Sequence, residues 1–179
     1  MTTAEVPPGD DSGPPGDPES VARTICLRQL DQRARTRSEL QATLRRRGVP
    51  DDAARVVLDR LTEVGLIDDD ALAENYAMAV HRERGLAGRA VAMKLRQRGI
   101  DEPSVQAAVG QIDAESEAAA ARSLVARRLT SLRGLDPQTQ ARRLVGLLAR
   151  RGYAPGLAHQ IVRESLGEAQ IGGASDLDD

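Results

Sequence analysis

Three stretches of this chain are versions of one phrase: "LRRRGV" at Leu44–Val49, "LRQRGI" at Leu95–Ile100 and "LARRGY" at Leu148–Tyr153. Their glycines, Gly48, Gly99 and Gly152, are spaced 51 and 53 residues apart. Counting back from each glycine, the fourth residue is Leu44, Leu95 or Leu148, and the eighth is Leu40, Val91 or Leu144. Counting forward, the sixth is Ala54, Val105 or Ala158, the ninth Val57, Ala108 or Ile161, and the tenth Leu58, Val109 or Val162. Apolar residues at such i, i+3, i+4 spacings form helical stripes, and the stripes keep the same phase in all three passes. A self-similar period of about fifty residues reads as a helical repeat in which each unit buries its apolar face partly against its neighbours.

The punctuation between the stripes divides each repeat into three helices. Asp17-Pro18 supplies a cap and a first-turn proline for a helix to about Arg33. "TRSE" at Thr36–Glu39 fits a capping box and opens a second helix, which Gly48 closes; Pro50 opens a third that ends at Gly65. The second pass starts at Asp68-Asp69-Asp70 and continues with helices over about 87–98 and 102–112. The third begins near Asp113, restarts at Asp136-Pro137, breaks at Gly152 and restarts at Pro155 for a helix to about Ser165. The expected fold is all-α: three tandem three-helix repeats, over 18–66, 67–113 and 114–167, forming an elongated, curved helical array. Residues 1–17, rich in Pro, Gly and Asp, and the acidic stretch 168–179 are expected to be disordered tails.

Composition agrees with a helical protein. The apolar residues are almost all Leu, Val, Ala and Ile, with no Phe or Trp and two tyrosines, Tyr76 and Tyr153. The formal net charge of -2 conceals an asymmetry: without the eight acids of residues 1–20 and 169–179, the body carries 25 basic against 19 acidic residues. A mildly basic body flanked by acidic tails permits contact with nucleic acid or an acidic protein surface. Cys26 is the single cysteine, so no intrachain disulfide forms, and with no membrane-spanning run or signal pattern the expected location is the cytoplasm.

The residues point away from enzymatic chemistry. His81 and His159 lie in different repeats outside any metal-binding spacing, and Cys26 sits in an apolar stripe with Ile25 and Leu30. No phosphate-binding glycine loop or nucleophile elbow occurs. Asp68, Asp69 and Asp70 read as a helix start, where carboxylates meet free N–H groups, rather than as a Mg²⁺ site. We therefore expect no enzyme, no metal and no cofactor.

The arginines of the repeated phrase remain. A cation in the last turn of a helix complements the dipole by about 0.3–1 kcal/mol, but one per helix supplies most of that effect. The first repeat has Arg45, Arg46 and Arg47, the second Lys94, Arg96 and Arg98, and the third Arg150 and Arg151. Stacked repeats would set these clusters along one face as a discontinuous basic strip. Two tyrosines are too few for a base-stacking platform, and the helices after the glycines offer little for reading base edges. Phosphate contact, or contact with acidic protein, is what the strip suits.

The string "VGLIDDDALAENYAMAVHRERGLAGRAVAMKLRQRGI" (Val64–Ile100) resembles the signature of the bacterial RecX regulatory proteins, with "GLIDD", a downstream tyrosine, an arginine-rich turn and "LRQRGI" in order. "RTRSELQATLRRRGV" and "LLARRGYAP" are similar to that family's first and third units, and the likeness runs from about Val21 to Leu166. One departure is Leu72, where the family usually has phenylalanine. The resemblance implies a regulator that binds the RecA recombinase and its filament on single-stranded DNA and inhibits ATP hydrolysis, filament extension and strand exchange. In that picture the eight cations of the strip hold the filament through protein carboxylates or DNA phosphates. A monomer is expected, with at most weak DNA binding of its own and no membrane association. Two alternatives stay open: a helical-repeat DNA-binding protein acting without RecA, and a scaffold for another protein.

Overall fold

The computed structural model describes residues 16–175, with side chains as far as Gly167. Among the described residues there are nine helices and no strand: α1 Pro18–Gln32, α2 Arg37–Arg46, α3 Asp51–Glu63, α4 Asp69–Arg84, α5 Gly88–Gln97, α6 Glu102–Gly110, α7 Ala114–Thr130, α8 Pro137–Arg150 and α9 Pro155–Ser175. The chain divides into two compact units, one ending at Asp68 and the other beginning at Asp69.

Local chemistry explains where the helices begin. Asp17 accepts the Ser20 N–H at 3.2 Å ahead of Pro18. Thr36 and Glu39 form the reciprocal capping box, with Glu39 N–H donating to Thr36 Oγ1 at 3.0 Å and Thr36 N–H to Glu39 Oε2 at 3.3 Å. Asp101, Asp113 and Asp136 accept N–H groups three residues on, at 2.9, 2.7 and 2.9 Å.

The repeated phrase is a helix stop. In each copy the residue after the glycine donates its N–H back to the leucine carbonyl: Val49 to Leu44 at 3.1 Å, Ile100 to Leu95 at 3.2 Å and Tyr153 to Leu148 at 3.2 Å. The glycine N–H bonds Arg45, Arg96 or Ala149 at 3.1, 2.9 or 3.0 Å, which completes a Schellman motif. The glycine must take a left-handed conformation, and φ is +76° at Gly48 and +90° at Gly152. The flanking leucine and the final apolar residue are both buried in every copy, so they pin the turn to the core. The intervening basic residues are exposed, apart from Arg98 and Arg151, which are half-buried.

In the first unit α1 and α2 pack on α3, around Ala22, Cys26, Leu40, Leu44, Val57 and Leu58. In the second, α4 and α5 pack on α6 around Val91, Leu95 and Val105, while α7 and α8 pack on α9 around Leu144, Leu148, Ile161 and Val162. Of the fifteen in-phase positions read from the sequence, all are buried except Val109, which is partly buried against its cluster. Leu72, at the family's phenylalanine position, also packs partly buried against the second repeat's core.

Two expectations at the chain ends meet the structure differently. The first fifteen residues lie outside the described residues. The last helix runs to Ser175, past the expected end at Ser165 and into the stretch 168–179 expected to be disordered. After Pro155 no proline interrupts the chain, and Leu166, Glu168, Ala169 and Gln170 are good helix formers, so local propensity carries the helix onward through its glycines.

Candidate partner-binding surface

The eight cations of the repeated phrase meet different fates. In the first unit, Arg45 pairs with Asp51 at 3.5 Å, both side chains largely in solvent, and Arg46 donates to Thr43 Oγ1 at 3.0 Å. Arg47 is the exposed C-cap of α2. In the second repeat, Arg96 forks onto Glu102 through Nε at 2.8 Å and Nη2 at 2.6 Å. That hydrogen bond, with a second from Gln106, brings the Glu102 carboxyl down to about 2. Arg98 lies 5.4 Å from the centre of the Tyr76 ring, a cation-π distance. Arg96 and Arg98 are thus engaged within their own repeat.

Lys94, Arg150 and Arg151 are brought together. They line an open groove of about 630 Å³ with Arg84 and Arg127, beside Glu83, Leu86 and Leu124. The sequence reading missed Arg84 and Arg127, because neither lies in the repeated phrase. A signal for Arg84 was present: "RERG" at Arg82–Gly85 is another basic helix end closed by a positive-φ glycine. Arg127 carried none, because its place depends on where α7 packs.

The groove exists because two turns of the second unit dock on each other. Ala87, ahead of α5, donates its N–H to the Arg151 carbonyl at 3.0 Å. Tyr153 Oη donates to the Gly85 carbonyl at 3.1 Å, and burial pushes that hydroxyl up to about 12. Gly88 N–H donates to Glu117 Oε1 at 2.8 Å. Gly152 presses on α5 so closely that a Cβ there would lie 2.6 Å from the Ala90 Cβ. Buried His81 braces the same loop, its Nδ1 lying 2.9 Å from the Leu86 carbonyl; a carbonyl only accepts, so Nδ1 carries the proton.

Other candidates for chemistry are accounted for structurally. His159 Nδ1 donates to the Pro155 carbonyl at 2.7 Å on the exposed side of α9. Cys26 is fully buried, and desolvation pushes its thiol up to about 11, which favours the neutral thiol over the thiolate. Among the described residues no cluster of His, Cys, Asp and Glu has the makings of a metal site, and no helix is long and apolar enough to cross a membrane.

Comparison with known proteins matches this architecture repeat by repeat. Models of the first, second and third three-helix domains of RecX match residues 22–61, 68–109 and 115–162. The regulatory protein RecX of Thermobifida fusca is 51% identical over 160 residues, covering 89% of this chain and 86% of that protein. That of Streptomyces coelicolor is 48% identical over 155 residues, covering 87% and 82%. The crystal structure of RecX from Lactobacillus salivarius superposes with a TM-score of 0.75 at 19% identity, covering 83% of this chain and 96% of that one, a likeness of fold. With three domain matches in order and half of all residues shared over most of its length, the chain belongs to the RecX family of regulatory proteins.

Proposed function

We propose that this protein binds the RecA recombinase and its filament on single-stranded DNA, and inhibits ATP hydrolysis, filament extension and strand exchange. It acts by occupying a surface, not by catalysis. The observation that carries this reading is the groove of the second unit, where Arg84, Lys94, Arg127, Arg150 and Arg151 converge on one open channel. Family membership points to the class of partner, and the groove offers a surface suited to the repeating phosphates of the filament's strand. Arg45, Arg46 and Arg47 add a second basic patch on the first unit. Arg96 and Arg98, tied to Glu102 and Tyr76, serve the strip less directly.

The test is a titration of the protein into RecA turning over ATP on single-stranded DNA at fixed salt. The steady rate should fall at protein amounts well below that of RecA. An unchanged rate at equal amounts, with protein that is helical and folded, would overturn the reading and favour DNA binding without RecA.

A further inference from the structure

The basic groove gathers five cations on one open surface. Several cations elsewhere lie against acids: Arg37 is 2.6 Å from Asp59, Arg45 3.5 Å from Asp51, Arg96 2.6 Å from Glu102 and Arg122 3.4 Å from Glu115. Among the described residues none of the groove's five cations has a carboxylate within ion-pair distance. Five like charges against Glu83 repel one another, and the fold nevertheless gathers them.

The two walls belong to different repeats. Arg84 ends α4 and Lys94 lies on α5, in the second repeat; Arg127 on α7, Arg150 at the end of α8 and Arg151 after it belong to the third. Their mutual repulsion therefore acts across the joint held by Ala87 with Arg151, Tyr153 with Gly85, and Gly88 with Glu117.

The lining also discriminates between kinds of polyanion. A protein partner's binding energy concentrates in aromatic or aliphatic anchors seated in pockets. This groove offers none, because its two apolar residues, Leu86 and Leu124, are only 7% and 8% exposed and Tyr153 lies buried beneath. What it offers is four guanidinium forks and one ammonium, the donor set for phosphate oxygens. With no exposed aromatic ring to stack a base, contact would be with the backbone and indifferent to sequence.

We propose that this groove binds consecutive phosphates of a nucleic-acid strand and thereby fastens the second repeat to the third. The bound strand neutralises both walls at once and removes the repulsion that opposes the joint. The inference does not need the RecA reading, since it is tested on nucleic acid alone.

The experiment measures binding of a labelled fifteen-nucleotide oligothymidylate to the full chain by fluorescence anisotropy between 50 and 200 mM salt, beside an Arg84→Gln/Arg127→Gln variant. Both side chains are exposed, and far-UV circular dichroism checks that the variant keeps its helices. Affinity should fall with salt, and the variant should bind roughly tenfold or more weakly at 50 mM, its log–log salt slope shallower by about 0.7 per lost phosphate contact, so about 1.4. The strand should also slow hydrogen exchange at the Ala87 and Gly88 amides in the wild-type chain more than at the amides of α2. An oligothymidylate with an uncharged methylphosphonate backbone should not bind. No binding by the wild-type chain at 50 mM salt, or equal affinity and slope in the two proteins, would overturn the site. Uniform exchange protection would overturn the fastening. Tripolyphosphate competing as well as the strand at equal phosphate concentration would overturn the nucleic-acid assignment in favour of a small polyphosphate. Loss of RecA inhibition in the variant with strand binding intact would assign the groove to acidic protein instead.

Discussion

Gly48 and Gly152 end the same phrase with the same helix stop, yet they do different work. A Cβ on Gly48 would meet nothing within 4 Å, whereas one on Gly152 would run into the Ala90 Cβ at 2.6 Å and the Ala90 nitrogen at 2.9 Å. The residue that follows differs in step. Val49 is buried and serves its own repeat's core; Tyr153 is buried too, but its hydroxyl crosses to the Gly85 carbonyl. A repeated sequence thus makes a repeated local structure, and one copy has additionally become the joint to a neighbouring repeat. The joint is also where cations of two repeats meet.

That comparison is broken most forcefully by alanine. Gly48→Ala incurs the strain of a left-handed backbone, about 1–2 kcal/mol. Gly152→Ala incurs the same strain plus an overlap with α5 backbone, a further cost of about 1–3 kcal/mol. Urea unfolding followed by circular dichroism should rank the two in that order; equal losses would show that the approach of Gly152 to Ala90 carries no energy.

In the first repeat, stability leans on local capping. Thr36 is fully buried and supplies half of a reciprocal cap, so Thr36→Ala should cost about 1–2 kcal/mol in the same unfolding measurement. Tyr153→Phe keeps the ring in the core and deletes only the bond to Gly85, a loss of about 1 kcal/mol with increased hydrogen exchange at the Ala87 amide. A variant as stable and as protected as the wild type would show that the hydroxyl does not hold the joint.

The smallest effect concerns a cation that the groove did not recruit. Glu102 sits at about 2 in the folded chain against 4.5 ordinarily, chiefly through its hydrogen bond from Arg96. Because the folded value is the lower, what the pair contributes is present above pH ~4.5 and is lost as pH falls through about 2. Arg96→Gln should return the Glu102 carboxyl towards the ordinary value, read by NMR titration, while barely moving the melting temperature of so exposed a pair. An unmoved Glu102 would point to Gln106 as the main cause.

The repeat, its helices and the in-phase part of its core were legible because they are local: the stripes and stops lie within a few turns of each phrase, and a Schellman turn is written in adjacent residues. The candidate site was legible in part. Lys94, Arg150 and Arg151 were found because they share the phrase, while Arg84 and Arg127 are joined to them by packing alone. The Ala87 to Arg151 bond links backbone groups far apart in the chain, and backbone groups leave no mark on a sequence. Arg96 shows the converse. Its partner Glu102 stands six residues on, across the glycine turn, close enough that the pairing was open to view.

The most direct measurement compares two variants as inhibitors of RecA ATP hydrolysis on single-stranded DNA, at one salt concentration and over a range of protein amounts. One is Lys94→Gln/Arg150→Gln/Arg151→Gln, which empties the groove's share of the phrase; the other is Arg45→Gln/Arg46→Gln/Arg47→Gln, which removes the same number of cations from the first unit. The structure predicts that the groove variant, folded by circular dichroism, requires far more protein than the first-unit variant to reach half-maximal suppression. Equal potency of the two would contradict the claim that the joint makes the repeated arginines into a binding site.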